Sequence, residues 1–286
     1  MPSIKKSREA GTPAVTVIVP VFNGKNTIER ALDSVFAQAF TDFEIIVVDD
    51  GSTDLTVEAI SRKYGEQLRI IEHRKNRGAA AARNTGIAAA RGRWVAFLDC
   101  DDTWRPDKLA RQLEMLEKAG SLAKACATGY QLYKNGREIT FNAKFSPEQF
   151  RREILFGCTI SPGSTLVVER GVFDDIGLFD EVLLRLEDWD WLLRFASRYE
   201  MAFVPVPLAD IYVENRVHQQ DTSKIENALN HIGIKYFRRL SMLMTASNSP
   251  NCPMISSSFR CEVSTTLTPI DRKRSRYAWN PPFESW

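Results

Sequence analysis

The sequence lacks most of what would make it secreted, membrane-spanning or nucleic-acid-binding. It has five cysteines in 286 residues, an odd number with no Cys-x-x-Cys spacing. That argues against a disulfide framework or a thiolate zinc site and suits reduced thiols in a cytoplasmic protein. No stretch approaches ~18 uninterrupted apolar residues, so no spanning helix is expected. The N-terminus carries Lys and Arg but not the apolar core of a signal peptide. A formal charge of +2 is far from the strongly basic balance of a nucleic-acid-binding domain. There are three histidines, and His73 and His231 stand in no constellation. No internal repeat is apparent. What remains is 44% hydrophobic and 26% charged, enough for the full core of one enzyme-sized domain.

Three apolar runs, each long enough for one buried strand, end abruptly in polar loops. Val15 to Val19 runs into Pro20-Val21-Phe22-Asn23-Gly24, and Phe43 to Val48 delivers Asp49-Asp50-Gly51-Ser52-Thr53-Asp54. Trp94 to Leu98 stops at Asp99-Cys100-Asp101-Asp102. In an open α/β sheet, ligands bind beyond the carboxyl ends of the strands. Three carboxylates in four residues repel one another unless a cation sits among them. Hard oxygen ligands in a turn suit Mg²⁺ or Mn²⁺, which share their coordination with phosphates. The competing reading is a solvated acidic turn in which Asp102 or Thr103 caps the next helix. An aromatic, a carboxylate and helix N-termini on one sheet edge can hold a nucleotide. Phe22 would lie against the base, Asp50 would accept a base N–H, and the metal would take the diphosphate. Equally, Phe22 could be core and Asp50 a cap. Cys100 fits as a small filler under the site.

The remaining pattern alternates strand and helix, as a parallel sheet requires. Ile28, Leu32 and Val35 recur at helical spacing. Leu55 to Tyr64 reads as a helix, Leu68 to Ile71 as the third strand, and Gly78 to Ala90 as an alanine-rich helix. Pro106 fits the first turn of a helix whose buried stripe is Leu109, Leu113 and Leu116. Cys126 to Phe145 reads as short strands turning at Asn135-Gly136. Helices follow at Pro147 to Phe156 and Asp188 to Tyr199, with a strand at Ser164 to Val168 and a strand pair around Phe203 and Ile211. Ile225, Leu229, Ile232 and Tyr236 form a further helical stripe, for which core packing is the default and peripheral contact with an anionic membrane the minority reading. From Ser241 the chain turns rich in Ser, Thr, Asn and Pro and holds the basic cluster Arg272 to Arg276, the composition of a weakly ordered tail. The expected organisation is an N-terminal tail (1–14), one domain (15–240) with halves 15–120 and 121–240, and a tail (241–286). The fold class is α/β, a mostly parallel central sheet flanked by helices with a mixed second half.

Five segments carry a resemblance. Val19 to Gly24, Val48 to Asp54, Ala82-Arg83-Asn84-Thr85-Gly86, Phe97 to Asp102, and Ile176 to Glu181 followed by Glu187 to Arg194 occur in the order and spacing of a family 2 glycosyltransferase. The chain resembles that inverting family of GT-A fold from about Val15 to Ser223. The resemblance implies transfer of a sugar from a nucleotide-diphosphate sugar, most often a UDP-sugar, to a hydroxyl of a glycan or lipid-linked acceptor in cell-surface polysaccharide synthesis. It implies donor contacts from Pro20, Phe22, Asn23, Asp50, Arg83, Asn84, Asp99 and Asp101. Mn²⁺ or Mg²⁺ would be held by Asp101 and Asp102, with His218 on a closing loop as a third candidate. The Tyr212–His218 spacing is longer than the family's, which leaves that assignment open. Inverting transfer needs one carboxylate to take the acceptor's proton. The family pattern points to Asp188, with Glu187 the alternative, and an acceptor sugar could stack on Trp189. Asp188 could also simply cap the helix starting at Trp189. The expected setting is cytoplasmic, with peripheral contact at the inner face of the membrane. Two other functions compete. A sugar-nucleotide nucleotidyltransferase wants a glycine-rich phosphate loop, and Pro20 to Asn26 offers only Gly24. A non-catalytic nucleotide-sugar-binding protein would not need the intact acids.

Overall fold

The computed structural model describes residues 11–158, 160–213 and 222–246, with Thr222 and 237–246 described by backbone alone. The chain divides into a compact unit, Met1–Phe237, and a second, Arg238–Trp286. In the described part of the first unit, nine strands form one sheet in the order β3-β2-β1-β4-β8-β6-β9-β5, with β7 paired to β6.

The N-terminal strands are β1 (Val15–Val21), β2 (Phe43–Asp49), β3 (Arg69–Glu72) and β4 (Trp94–Phe97). All their mutual pairings are parallel. β1 is buried throughout because helices cover both faces, the arrangement that turns strand sequences into continuous apolar runs. On one face Val17, Val19, Ile45 and Val47 pack with Ile28, Leu32 and Val35 of α1 (Ile28–Phe36), Ile60 of α2 (Thr56–Tyr64) and Leu109 of α4 (Lys108–Ala119). On the other face lies α3 (Ala79–Ala89). Its Ala82 packs with Ile46 and Val48, and its Ala80 and Ile87 with Ile18 and Phe97. A Cβ on Gly86 would overlap the Ile18 side chain, so that glycine sets how closely α3 lies on β1.

The C-terminal half reverses direction. β8 (Leu166–Glu169) runs antiparallel to β4 and to β6 (Ala123–Lys134), and β5 (Thr103–Trp104) runs antiparallel to β9 (Glu200–Val213). β6 and β9 are parallel. The sheet is thus parallel only in its first half, and mixed beyond β4. The Asn135-Gly136 turn joins β6 to β7 (Arg137–Phe141), both residues at positive φ (50° and 71°), as a two-residue hairpin requires.

Several boundaries differ from the sequence reading, each for a local reason. Pro106 precedes α4, whose N-cap is Asp107, because the chain first makes the short strand β5. Pro162–Thr165 is one helical turn, α6, and the strand starts at Leu166. The α5 helix covers Pro147–Glu153, started by a capping box in which Ser146 and Gln149 satisfy each other's backbone N–H. The strand pair around Phe203 and Ile211 is one long strand, β9, with irregular register near Gly129. The helix α7 spans Gly171–Ile176, α8 spans Glu187–Ala196, and α9 runs Thr222–Ala246, six residues into the segment read as tail. The rest of that tail, and His218, lie outside the described residues. Among those described, no helix is long and apolar enough to cross a membrane.

Candidate active site

The end of β4 and the start of α8 bring three acidic side chains around one guanidinium of α3. Arg83 of α3 is buried (6% exposed). Its Nη2 donates to Asp99 Oδ1 at 2.8 Å and its Nη1 to Glu187 Oε1 at 2.7 Å. Burial alone would discourage the charge, but Asp99, Glu187 and Asp188 override it and hold Arg83 more firmly protonated than a free arginine. Its Nε has no partner among the described residues, so all of the arginine's fixed pairing is spent on those two acids. Arg83 therefore ties the end of β4 to the start of α8, across a sequence gap that the motifs alone leave unconnected.

Glu187 and Asp188 occupy the first turn of α8, whose N-cap is Leu186 rather than Asp188. Leu186 has φ 61°, a left-handed conformation that is uncommon for leucine, and it turns the chain sharply before the two acids. Asp188 Oδ1 accepts the Trp189 N–H at 2.7 Å. Enclosure, the adjacent Glu187 and the nearby Asp99 push its carboxyl up to about 6, against the pull of Arg83 and the Trp189 N–H. A carboxylate with such a value is ionised at neutral pH yet still basic, which suits a proton acceptor. Trp189 is held in place: its Nε1 donates to Ile154 O at 2.7 Å, and its ring packs with Leu183, Ala228 and Ile232. Behind it, Asp190 is fully buried. It pairs with Arg194 and Lys235 and accepts the Tyr236 hydroxyl, so the α9 stripe anchors the base of α8.

The acidic turn is divided in role. Asp99 is partly exposed (35% of its side chain) and its N–H donates to Ser164 Oγ at 3.1 Å. A Cβ at Gly163 would overlap the Asp99 carboxylate, so α6 presents glycine where this acid needs room. Asp102, expected as a metal ligand, is turned inward. It is 3% exposed, accepts the Ser164 hydroxyl on Oδ2 and accepts the Tyr212 N–H on Oδ1 at 3.1 Å. Its carboxyl is pushed well up by burial and by Asp99 and Asp101. Asp101 stands between them, half-buried, its carbonyl held by Arg30 Nη2 at 2.6 Å. Among the described residues, no three carboxylate, imidazole or thiolate groups converge as a metal cage. The cluster offers Asp99 and Asp101 instead, and one or two carboxylates completed by phosphate oxygens is the set that Mg²⁺ commonly takes. Cys100 is buried beneath, in contact range of Gly24.

The nucleotide-side expectations divide as well. Phe22 is exposed (45%) at the end of β1, free to meet a flat ligand. Asn23, at φ 53°, binds the next turn: its N–H donates to Ser52 Oγ and its Oδ1 accepts the Thr53 N–H, both at 2.8 Å. Pro20 is buried in β1. Asp50 is not the open acceptor the sequence suggested. Oδ1 takes His73 Nδ1 at 2.6 Å, both oxygens take the Arg77 N–H at 3.0 Å, and Oδ2 takes the Gly78 N–H at 2.7 Å. These bonds use the lone-pair directions a carboxylate has, so Asp50 first organises the entry to α3. Asn84 is likewise committed. Its amide donates to Phe179 O and Glu181 Oε1 and accepts the Phe179 N–H, which clamps the 178–186 turn onto α3. His73, which the sequence left without partners, links Asp50 to Thr85 Oγ1 at 2.9 Å. No motif spacing announces that contact, because it depends on β3 lying beside β2.

Comparison with known proteins identifies the family and the fold. The profile of glycosyl transferase family 2 matches residues 16–177. The chain is 31% identical over 228 residues to an uncharacterised glycosyltransferase of Rickettsia prowazekii, covering 77% of this chain and 69% of that protein. It is 36% identical over 163 residues to a teichuronic acid biosynthesis glycosyltransferase (TuaG, so assigned putatively) of Bacillus subtilis, covering 55% and 63%. Among solved structures it resembles Staphylococcus aureus TarS 1–349 in complex with UDP-GlcNAc (TM-score 0.65, 22% identity, 77% of this chain and 65% of that one). It also resembles a Pyrobaculum calidifontis mannosyltransferase in complex with GDP-Man and Mn²⁺ (TM-score 0.60, 23% identity, 80% and 65%). The chain spans 39% of a longer TarS chain. At these identities the structural likeness is one of fold, and it is the GT-A fold.

Proposed function

The chain belongs to glycosyl transferase family 2, and from that membership we propose that it moves a sugar, with inversion, from a nucleotide-diphosphate sugar to a hydroxyl of a glycan or lipid-linked acceptor. A UDP-sugar is the donor we favour, and cell-surface polysaccharide synthesis the setting. The observation that carries the reading is the Arg83 bridge, which gathers the donor-side acid Asp99 and the acid pair Glu187-Asp188 at one spot.

In this mechanism Asp188 takes the proton from the acceptor hydroxyl as it attacks the anomeric carbon from the face opposite the departing diphosphate. Glu187 stays paired with Arg83 and raises the basicity of Asp188 by like-charge repulsion. Asp99 and Asp101 would hold Mn²⁺ or Mg²⁺, which when bound neutralises charge on the diphosphate. Asp102 fixes the turn from behind through Ser164 and Tyr212. Phe22 is placed to cover the base, and Trp189 borders the acceptor side.

The test is release of nucleoside diphosphate from a panel of UDP-, dTDP- and GDP-sugars, with Mn²⁺, Mg²⁺ or chelator, in the presence of hydroxyl acceptors. Metal-dependent release that needs Asp188 is expected. Pyrophosphate released from a nucleoside triphosphate instead would favour a nucleotidyltransferase, and donor binding without turnover would favour a non-catalytic role.

A further inference from the structure

We propose that Ser164 is a positioning residue for the transfer reaction, acting on donor binding through the acids that its hydroxyl holds. The inference rests on the transfer reading above. Asp99-Cys100-Asp101-Asp102 is a four-residue turn closed by its own backbone, the Asp102 N–H donating to Asp99 O at 3.1 Å. Ser164, 65 and 62 positions away from those two residues, spans the same turn. Its Oγ accepts the Asp99 N–H at 3.1 Å and donates its proton to Asp102 Oδ2. The first and last residues of the turn therefore share one hydroxyl. Asp102 is held inward and buried, which leaves Asp99 partly exposed and within 2.8 Å of Arg83 Nη2.

The backbone that carries this hydroxyl is clamped. Ser164 is fully buried, and its carbonyl accepts Trp104 Nε1 at 2.7 Å. The next carbonyl, Thr165 O, accepts Gln112 Nε2 at 2.9 Å. Gln112 also donates to Cys126 O of β6 at 2.7 Å, and its Oε1 takes the Lys108 Nζ at 2.8 Å. Trp104 of β5 and Lys108 and Gln112 of α4 are all buried, so α6 is fixed by three elements of the core. A hydroxyl needed only for that turn would be satisfied within it. Thr165 is such a case, its Oγ1 donating to Ser161 O at 2.9 Å. Ser164 commits its hydroxyl to the acidic turn instead.

Removing the hydroxyl leaves the Asp99 N–H and a buried Asp102 oxygen each short of a partner, a state that buried polar groups avoid. The turn recovers those bonds only by moving toward water, and that displaces Asp99 from Arg83. A shift of about 1 Å in a positioning group can lower a rate ~10²-fold. The acid pair on α8 has a separate mount, because Asp190 beneath it is paired with Arg194 and Lys235. The defect expected from the loss of Ser164 is therefore one of donor handling, with the acceptor side spared.

The experiment compares Ser164→Ala with Thr165→Val, which removes a buried hydroxyl from the same helical turn without touching the acids. Full-length protein is assayed for nucleoside diphosphate release from the UDP-, dTDP- or GDP-sugar that the wild type accepts, varying donor and acceptor separately. Calorimetry reads the binding of UDP, dTDP and GDP with Mn²⁺. Ser164→Ala should raise the donor KM and the nucleoside diphosphate Kd about tenfold or more, with the acceptor KM within about threefold of wild type. Thr165→Val should melt lower yet keep the donor KM. Ser164→Cys, whose thiol is a weaker donor and acceptor, should fall between wild type and Ser164→Ala, and it carries the test if the alanine variant does not fold. The proposal is overturned if the folded variant keeps the wild-type donor KM and Kd, if Thr165→Val reproduces the defect, or if donor and acceptor KM rise together. A wild type that binds nucleoside diphosphates but turns over no donor would overturn the transfer reading alone, and the Kd values then decide for Ser164. One that neither binds nor turns over would overturn both.

Discussion

Replacing Asp188 by Asn should cut transfer steeply and stabilise the protein at the same time. The group titrates at about 6 in the folded chain against an ordinary 3.8. A folded value above the unfolded one means that stability is fully present below the unfolded pKa and is lost as pH rises through the folded pKa. The loss builds between about pH 4 and pH 6 and then levels. At 1.36 kcal/mol per unit it reaches about 3 kcal/mol by pH 7.5, and about 1 kcal/mol at pH 4.5. These are upper bounds, since the carboxyl keeps some contact with solvent. Asn carries no such cost, so the variant should outmelt the wild type at pH 7.5 by several degrees, at roughly 2–4 °C per kcal/mol for a chain this size. The advantage should shrink by more than half at pH 4.5. Transfer should fall ~10²–10⁴-fold, the scale of a lost general base. The assay is paired melting curves in metal-free buffer across that pH range, with turnover measured at pH 7.5. A melting difference that does not change with pH, or an Asn variant that melts below the wild type at pH 7.5, would refute the electrostatic argument. Near-normal turnover in a folded variant would refute the base assignment, and Glu187 would then be tested in the same way.

Three further outcomes follow from the site and its surroundings. Asp101→Asn should leave melting nearly unchanged but weaken Mn²⁺-dependent donor binding by calorimetry, whereas Asp102→Asn should shift melting as well, because it disturbs the bonds to Ser164 and Tyr212. Gly163→Ala should cost donor binding and turnover together, since the added methyl meets the Asp99 carboxylate; unaltered kinetics would show that Asp99 has room to spare. Lys108 is fully buried, with its Nζ on Gln112 Oε1 and over the Trp104 ring, and burial brings it down to about 7. Its folded value lies below the unfolded one, so wild-type stability should rise with pH from 7 to 9 by about 2 kcal/mol relative to Lys108→Met, read from paired chemical denaturation.

The parallel half of the fold was legible because buried strands and amphipathic helices have distinct periods, and because each strand ended in residues that cannot stay in a core. Glu187 and Asp188 stood out as adjacent acids at a helix start for a similar reason. What the sequence did not disclose was direction. Asp50, Asn84 and Asp102 are polar residues beside a site, and nothing in their spacing says whether they face a ligand or the protein. That depends on which turn comes to lie against them: 73–78 for Asp50, 178–181 for Asn84, Ser164 and Tyr212 for Asp102. The two-residue strand β5 and the single turn α6 were missed because elements so short have no period to read. Arg83 was legible as a motif residue, but its two partners lie 16 and 104 positions away.

The change of strand direction at β4 limits how this molecule can be assembled or rebuilt. β4 has a parallel neighbour made before it and an antiparallel neighbour, β8, made long after it. At ribosomal speeds of about 5–20 residues per second, a nascent chain would wait seconds with one apolar edge of β4 open, a template for wrong pairing. Through that interval Asp99 would lack the Ser164 hydroxyl, and Arg83 would lack Glu187. A fragment ending near Gly120 is therefore an aggregation-prone intermediate rather than a free-standing nucleotide module. Chimeras that exchange the two halves between relatives at that point would cut through the hydrogen-bonded seam on which the acids are mounted.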